Sequence, residues 1–460
     1  MEDLICISPV DGREYARRPL TPPAQVERAM EQARRAQRDW AQVPLTERCR
    51  IVGGFIEAMQ TLNPEIVPDL AWQMGRPVRY GGELRSLVER TQGMLALAEE
   101  ALASNVREAG PTRRRHVARQ PVGLVLVIAP WNYPFLTAAN TIIPALIAGN
   151  AVLLKHASQT LLAGERFAQA LDMAGLPPGL FTNLFLSHDQ TAQLLASGLV
   201  NHATFTGSVT GGRAIERAAA GSFTTLTLEL GGKDPAYVRA DADLGTSIEN
   251  LVDGAFFNSG QSCCGVERIY VHENIWQPFL DRFVEGVHQY RLGSPLDPET
   301  SLGPLSSARL AEQVRHQIAA AVEAGAQLHI EPQLFPDDKP DTAYLMPQVL
   351  TKVDHSMAIM REETFGPAVG LMPVKDDAEA VRLMNDSPYG LTASVWTSDM
   401  DAAEHLASQI EAGTVFMNRC DYLDPTLAWT GLKDSGRGAS LGRYGFDAVT
   451  RPKSYYLRSL

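Results

Sequence analysis

Apolar positions recur at helical spacing through roughly the first hundred residues. Val26, Met30, Ala33 and Trp40 fall on about one helical face, and Ile51, Phe55 and Met59 repeat the spacing in a second helix. Thr21 ahead of Pro22 and Pro23 reads as an N-cap with proline in the first turn. This stretch reads as packing and is assigned no chemistry.

Beyond it the pattern alternates. Gly123–Ile128 and Ala151–Lys155 are apolar runs of buried-strand length, and Thr137–Gly149 and Thr160–Ala174 suit helices. His202–Phe205 reads as a third strand, Thr182–Leu186 as another, and a helix containing RAIERAA follows Gly207. Apolar strands separated by helices predict a parallel sheet covered on both faces, with ligands beyond the carboxyl ends of its strands. Asn132, Lys155 and Ser208 each stand just past an expected strand end, so one ligand could meet all three. A second α/β stretch runs from about Gly231 to Gly431, with a strand at Val266–Val271 and a helix at Ile275–Tyr290. The tail Ser454–Leu460 alternates like a strand and needs a partner in this chain or another subunit.

Length and composition narrow the classes. A chain of 460 residues is too long for one core, so two domains or more are expected. A net charge of -12 opposes binding to nucleic acid or anionic membrane, and no apolar run is long enough to span a bilayer. The basic run Arg113–His116 reads as a solvated loop or contact surface. The N-terminus lacks the pattern of a signal peptide. Five scattered cysteines, with no CxxC or HExxH spacing, predict free thiols in the cytoplasm and no metal.

Five segments carry chemistry: APWNYP (Ala129–Pro134), FTGSVTGG (Phe205–Gly212), LELGGKDP (Leu228–Pro235), FFNSGQSCCG (Phe256–Gly265) and EETFGP (Glu362–Pro367). NDSPYGL (Asn385–Leu391) and GLKDSGRG (Gly431–Gly438) follow them. In this order, and over almost the whole chain, they resemble the aldehyde dehydrogenase superfamily. The resemblance implies an α/β fold with a Rossmann-type parallel-sheet cofactor domain (1–98 and 122–230) and an α/β catalytic domain (231–444). A small bridging and oligomerisation arm (99–121 and 445–460) completes it.

A cysteine is most often a small buried hydrophobe. Cys263, however, follows Gly260-Gln261-Ser262, which is poor core material. It matches the family's nucleophile, whose thiolate adds to an aldehyde carbonyl. The adjacent Cys264 reads as packing. Glu229 closes a strand ahead of Gly231 and Gly232, where backbones can approach closely. It matches the general base that activates water against the thioester. Relatives that pass the acyl group to coenzyme A lack it, so its presence implies a free acid as product. Asn132 matches the oxyanion-hole donor, acting with the nucleophile's backbone N–H. A non-catalytic relative would be expected to lose one of these three residues. A mere redox-sensing cysteine would not need the cofactor motifs.

The resemblance also implies an NAD or NADP site. Gly207, Ser208 and Gly212 form the turn that opens a helix near the pyrophosphate. Lys155 reaches the adenosine ribose, Glu363 and Phe365 hold the nicotinamide end, and Ile128, Ala129, Pro130, Trp131 and Leu230 line the site. Two departures stand out. Ser158 replaces a glutamate common in NAD-specific relatives and could bond a 2′-phosphate. LSHDQT (Leu186–Thr191) replaces a glycine-containing loop. Counting from the motifs puts Tyr133, Asn140, Asp421, Leu423 and Trp429 at the substrate tunnel. Asn140, where relatives for apolar aldehydes carry tryptophan, implies a more polar or roomier tunnel. Asp421 is placed to meet an amino or hydroxyl group, and either residue could instead bond to nearby backbone. Relatives assemble as homodimers or homotetramers.

Overall fold

The computed structural model describes residues 3–459; Met1, Glu2 and the tail's last residue, Leu460, lie outside the described residues. Six strands form one sheet in the order Gly436–Arg437, Thr225–Glu229, His202–Thr206, Leu124–Ala129, Ala151–His156 and Phe181–Asn183. All neighbours pair in parallel except the short first strand. Leu124–Ala129 and Ala151–His156 are buried at every position, as strands covered on both faces must be. The helix Pro134–Ala148, buried at all but one residue, covers one face. From Leu124–Ala129 the chain steps outward to one side of the sheet, then returns to pair His202–Thr206 on the other. That reversal opens a crevice at the strands' carboxyl ends.

A second, seven-stranded sheet runs Gln327–Leu328, Gln348–Thr351, Ala368–Val374, Val266–His272, Asp234–Val238, Thr392–Trp396 and Thr414–Met417. Two buried clusters of its own cover it. A three-stranded antiparallel sheet joins Asn105–Ala109, Arg113–Pro121 and the C-terminal Thr450–Arg458, with Tyr455 opposite His116. The tail strand therefore finds its partner within the chain. Among the described residues no helix is long and apolar enough to cross a membrane.

Several local expectations are corrected. The chain opens with an antiparallel hairpin, Asp3–Ile7 with Glu14–Pro19, before any helix. Pro22 takes the cap position of the helix Pro23–Trp40, and the Thr21 hydroxyl accepts from the Phe185 N–H instead. Ile51 and Phe55 lie on separate helices, Leu45–Gly53 and Phe55–Met74, which meet at Gly54. Arg113–His116 is strand, not loop: Arg113 and Arg115 both pair with Glu108, which relieves their mutual repulsion. Lys155 lies within its strand rather than past it.

Candidate active site

Two cavities open at the crevice. A cleft of about 760 Å³ follows the carboxyl ends of the first sheet, and a smaller cavity of about 210 Å³ lies on the other side. Among the described residues only Thr206, Glu229 and Cys263 line both. A molecule in the cleft and one in the cavity would therefore meet at the thiol and the carboxylate.

The loop that presents Cys263 is unusual. Asn258, Ser259 and Gly260 have successive positive φ values of 53°, 57° and 72°. Such backbone persists only where the surroundings over-determine it. A side chain on Gly260 would lie 2.3 Å from the Gly366 carbonyl oxygen, so the loop is seated on the second sheet's own loop. Gly232 is equally constrained: a Cβ there would lie 2.3 Å from the Cys263 carbonyl oxygen. This close approach brings the segment after Glu229 against the nucleophile loop.

Asn132 donates from Nδ2 to the Gln261 carbonyl at 3.2 Å, which aims its amide at the same loop and leaves its second N–H free. The Cys263 N–H has no protein acceptor among the described residues. Asn132 and Cys263 line the same cleft, and each keeps an N–H without a protein acceptor among the described residues. Behind them stands a buried ion pair. Arg76 pairs with Glu83 at 2.9 Å and donates to the Asn132 carbonyl at 2.9 Å. Glu83 in turn accepts from Phe135 N–H and Leu136 N–H at 3.1 and 2.7 Å, at the start of the helix Pro134–Ala148. A carboxylate there satisfies orphan donors and complements the helix dipole. An Arg76→Met variant strands the Glu83 charge. It is expected to destabilise the fold by about 3–5 kcal/mol, read as a fall in thermal unfolding temperature. An unchanged temperature would show that the pair does not support this loop.

Glu229 is buried, and its carboxylate accepts hydrogen bonds from the Thr206 hydroxyl at 3.1 Å and from the Ser440 hydroxyl. Burial pushes its pKa above the ordinary glutamate range, and the two hydroxyls with Arg90 partly offset the push. Cys264 is more than packing: its buried thiol donates to Asp421 Oδ1 at 3.0 Å, and the Ser262 hydroxyl donates to the same oxygen at 2.7 Å.

The cleft gathers Ile128, Ala129, Pro130, Trp131, Lys155, Gly207, Ser208, Leu230, Glu363 and Phe365 along one wall system. Lys155 is buried with no carboxylate or carbonyl partner among the described residues, and desolvation lowers its pKa. Such an ammonium suits ribose hydroxyls or phosphate. The Ser208 hydroxyl caps the helix Val209–Ala219 by accepting from the Gly211 N–H at 3.1 Å. Glu363 accepts from the Gly232 N–H at 3.1 Å, and burial beside Glu267 raises its pKa to about 7. Trp131 and Phe365 meet edge to face with centroids 5.6 Å apart. The Thr364 and Phe365 N–H groups donate to Glu267, itself paired with buried Lys233, and so hold this loop.

Two expected cofactor residues stand outside the lining. Gly212 is buried against Leu230, where a Cβ would lie 2.6 Å from a leucine methyl. Ser158 is exposed at the head of the short 3-10 turn Ser158–Thr160, one residue beyond the cleft-lining Ala157. The LSHDQT segment, expected as a loop, instead caps and opens the helix His188–Ala196, whose first residue, His188, lines the cleft.

The smaller cavity brings together Tyr133, Asn140, Asp421, Leu423 and Trp429. Asn140 does not bond to backbone: its Oδ1 accepts from Arg90 Nη1 at 2.9 Å. Nor does Asp421, whose Oδ1 takes the Ser262 and Cys264 donors. The helix Leu84–Leu102, read from sequence as packing alone, supplies Arg90 to this wall. Thr206 and Ser440, the hydroxyls on Glu229, were also not singled out. Thr206 stood within a quoted motif, whereas nothing in the local pattern marks Ser440.

Comparison with known proteins supplies a second line. A profile described as the aldehyde dehydrogenase family matches residues 2–455. The chain is 31% identical over 457 residues to betaine aldehyde dehydrogenase 2 of Rhizobium meliloti (strain 1021), covering 99% of this chain and 94% of that protein. It is 32% identical over 448 residues to the NAD(P)+ succinate semialdehyde dehydrogenase Sad of Escherichia coli (strain K12), covering 96% and 95%. Its fold is similar to that of succinic semialdehyde dehydrogenase from Streptococcus pyogenes in complex with NADP+, with a TM-score of 0.93 at 28% identity over 99% of this chain and 100% of that one.

Proposed function

The chain belongs to the aldehyde dehydrogenase family, and from that premise we propose that Cys263, Glu229 and Asn132 carry the chemistry of an NAD(P)-dependent oxidation of an aldehyde to its carboxylic acid. The observation that carries the assignment is the meeting of the two cavities at Cys263 and Glu229.

The Cys263 thiol gives up its proton to solvent by way of Glu229, and its sulfur bonds to the aldehyde carbon. The Asn132 amide and the Cys263 N–H hold the oxyanion of the thiohemiacetal; such donors lower a barrier by about 3–4 kcal/mol. When bound, the nicotinamide would supply the two-electron oxidant, a hydride acceptor, so that the carbon held on Cys263 would become a thioester. Lys155, Glu363 and Phe365 would hold the cofactor in the cleft. Glu229 then takes a proton from water, which attacks the thioester, and the acid leaves as the thiol is restored. A base with a raised pKa is matched to that task near neutral pH. Activity that needs no coenzyme A supports water as the acceptor, and strict dependence on coenzyme A would overturn it.

The strand end at Lys155 brings no carboxylate to the cleft, since Ala157 lines it and Ser158 follows. This supports acceptance of NADP alongside NAD. A Ser158→Glu variant is expected to lower kcat/KM for NADP roughly tenfold to a hundredfold, through like-charge repulsion of a 2′-phosphate. A strong NAD preference in the parent, unmoved by the change, contradicts this.

The substrate reading is a polar aldehyde, supported by Asn140 and Asp421 in the small cavity. A panel of aliphatic, aromatic, hydroxy- and amino-aldehydes with both cofactors tests it, and best activity on long alkyl aldehydes refutes it. For architecture we propose a cofactor-binding unit at 1–98 and 122–230, a catalytic unit at 231–444, and an arm at 99–121 and 445–460. The arm's exposed Val106, Tyr456 and Leu457 support self-association as a homodimer or homotetramer. Five free cysteines support a cytoplasmic location.

A further inference from the structure

Arg90 is 6% exposed and lines the small cavity. Its Nη1 donates to Asn140 Oδ1 at 2.9 Å and to the Leu136 carbonyl at 3.3 Å. Among the described residues its Nε and Nη2 have no protein acceptor and no carboxylate forms an ion pair with it. Arg76, equally buried nearby, shows the usual solution, with Glu83 at 2.9 Å. An unpaired buried charge is costly, so chains place one where something else completes it. The fixed fork of a guanidinium is shaped for two parallel hydrogen bonds to a carboxylate. Asn140 sets the orientation of that fork from the opposite helix.

We infer that Arg90 binds the remote carboxylate of the substrate, so that the aldehydes this chain takes are ω-oxo acids. The inference rests on the assignment of the small cavity as the aldehyde site, and narrows the polar end there to an anion. Of the acidic residues around the cavity, Glu229 acts most strongly on Arg90, but it forms no ion pair with it, is held by the Thr206 and Ser440 hydroxyls, and has its pKa raised by burial. Asp421 is engaged by Ser262 and Cys264, and burial pushes its pKa up. Glu89 is exposed at the mouth, where water and salt screen it, and accepts from the Tyr422 hydroxyl at 2.9 Å, while burial raises the pKa of Asp253 to about 6. The cation sits deeper, where an ion pair is screened least.

The test pairs succinic and glutaric semialdehydes with the uncharged ω-amides of the same lengths, using the full chain and both cofactors. The parent is expected to favour the acid of the better length over its amide by tenfold or more in kcat/KM. In Arg90→Met that ratio should fall by roughly tenfold or more, to about one, chiefly through KM for the acids, with Arg90→Lys between the two. Should Arg90→Met fail to fold, protection of Cys263 in the parent decides. Succinate, but not succinamide, should slow its alkylation by iodoacetamide. Equal use of acid and amide by the parent, or equal protection, overturns the carboxylate assignment while aldehyde oxidation stands. No nucleotide reduction with any aldehyde overturns both.

Discussion

A Cys263→Ala variant is expected to lose aldehyde oxidation by more than about ten-thousandfold, because removing a nucleophile removes the covalent route itself. Neither a burst nor a steady state of NAD(P)H should remain. Cys264 cannot stand in for it. Its thiol is 2% exposed, donates to Asp421, and has a pKa pushed well above the ordinary thiol value by its hydrogen bond with Cys263 and by burial. Cofactor binding should persist, since Cys263 is one residue of a wall built mainly from the end of the Leu124–Ala129 strand and the residues after it, Lys155 and the Glu363 segment. Measurable turnover in Cys263→Ala would remove the thiohemiacetal from the account.

Glu229→Gln should separate the two halves of the reaction. Acylation and hydride transfer give about one NAD(P)H per site. Turnover then falls roughly a hundredfold to ten-thousandfold, the usual contribution of a positioned base. The pH dependence follows from burial. Glu229 has a raised pKa, so deacylation in the parent should rise with pH through a value above the ordinary glutamate range. Glutamine flattens that limb. The same shift bears on stability. The folded chain holds this proton more tightly than the unfolded chain, so the contribution is fully present below the unfolded pKa. It is lost as pH rises through the folded value, and Glu229→Gln should remove that dependence.

Much of this fold was legible because burial writes a simple pattern. Leu124–Ala129 and Ala151–His156 are apolar at nearly every position and could only be strands covered on both faces. The opening hairpin was not, because Leu4, Ile5, Cys6 and Ile7 are apolar on both faces although Ile5 and Ile7 are exposed. Alternation, the strand's signature, is erased there. Cys263 and Glu229 drew attention in glycine-bearing segments, and with Asn132 they were assigned roles through their match to the family's motifs. Arg90 was not: helical periodicity tells which face a residue occupies, not that a cavity lies under it. Asn140 and Asp421 could be counted into the tunnel, but their partners come from distant segments, the helix carrying Arg90 and the nucleophile loop itself. Such pairings are products of tertiary approach and have no local trace.

The most direct test is a rapid-mixing single turnover of Glu229→Gln with aldehyde and cofactor, quenched in acid and read by intact and peptide mass. An acyl adduct on the peptide at Cys263, forming with the NAD(P)H burst and persisting in place of turnover, is the predicted result. A burst without an adduct, an adduct on Cys264, or unchanged turnover would contradict the division of labour between Cys263 and Glu229.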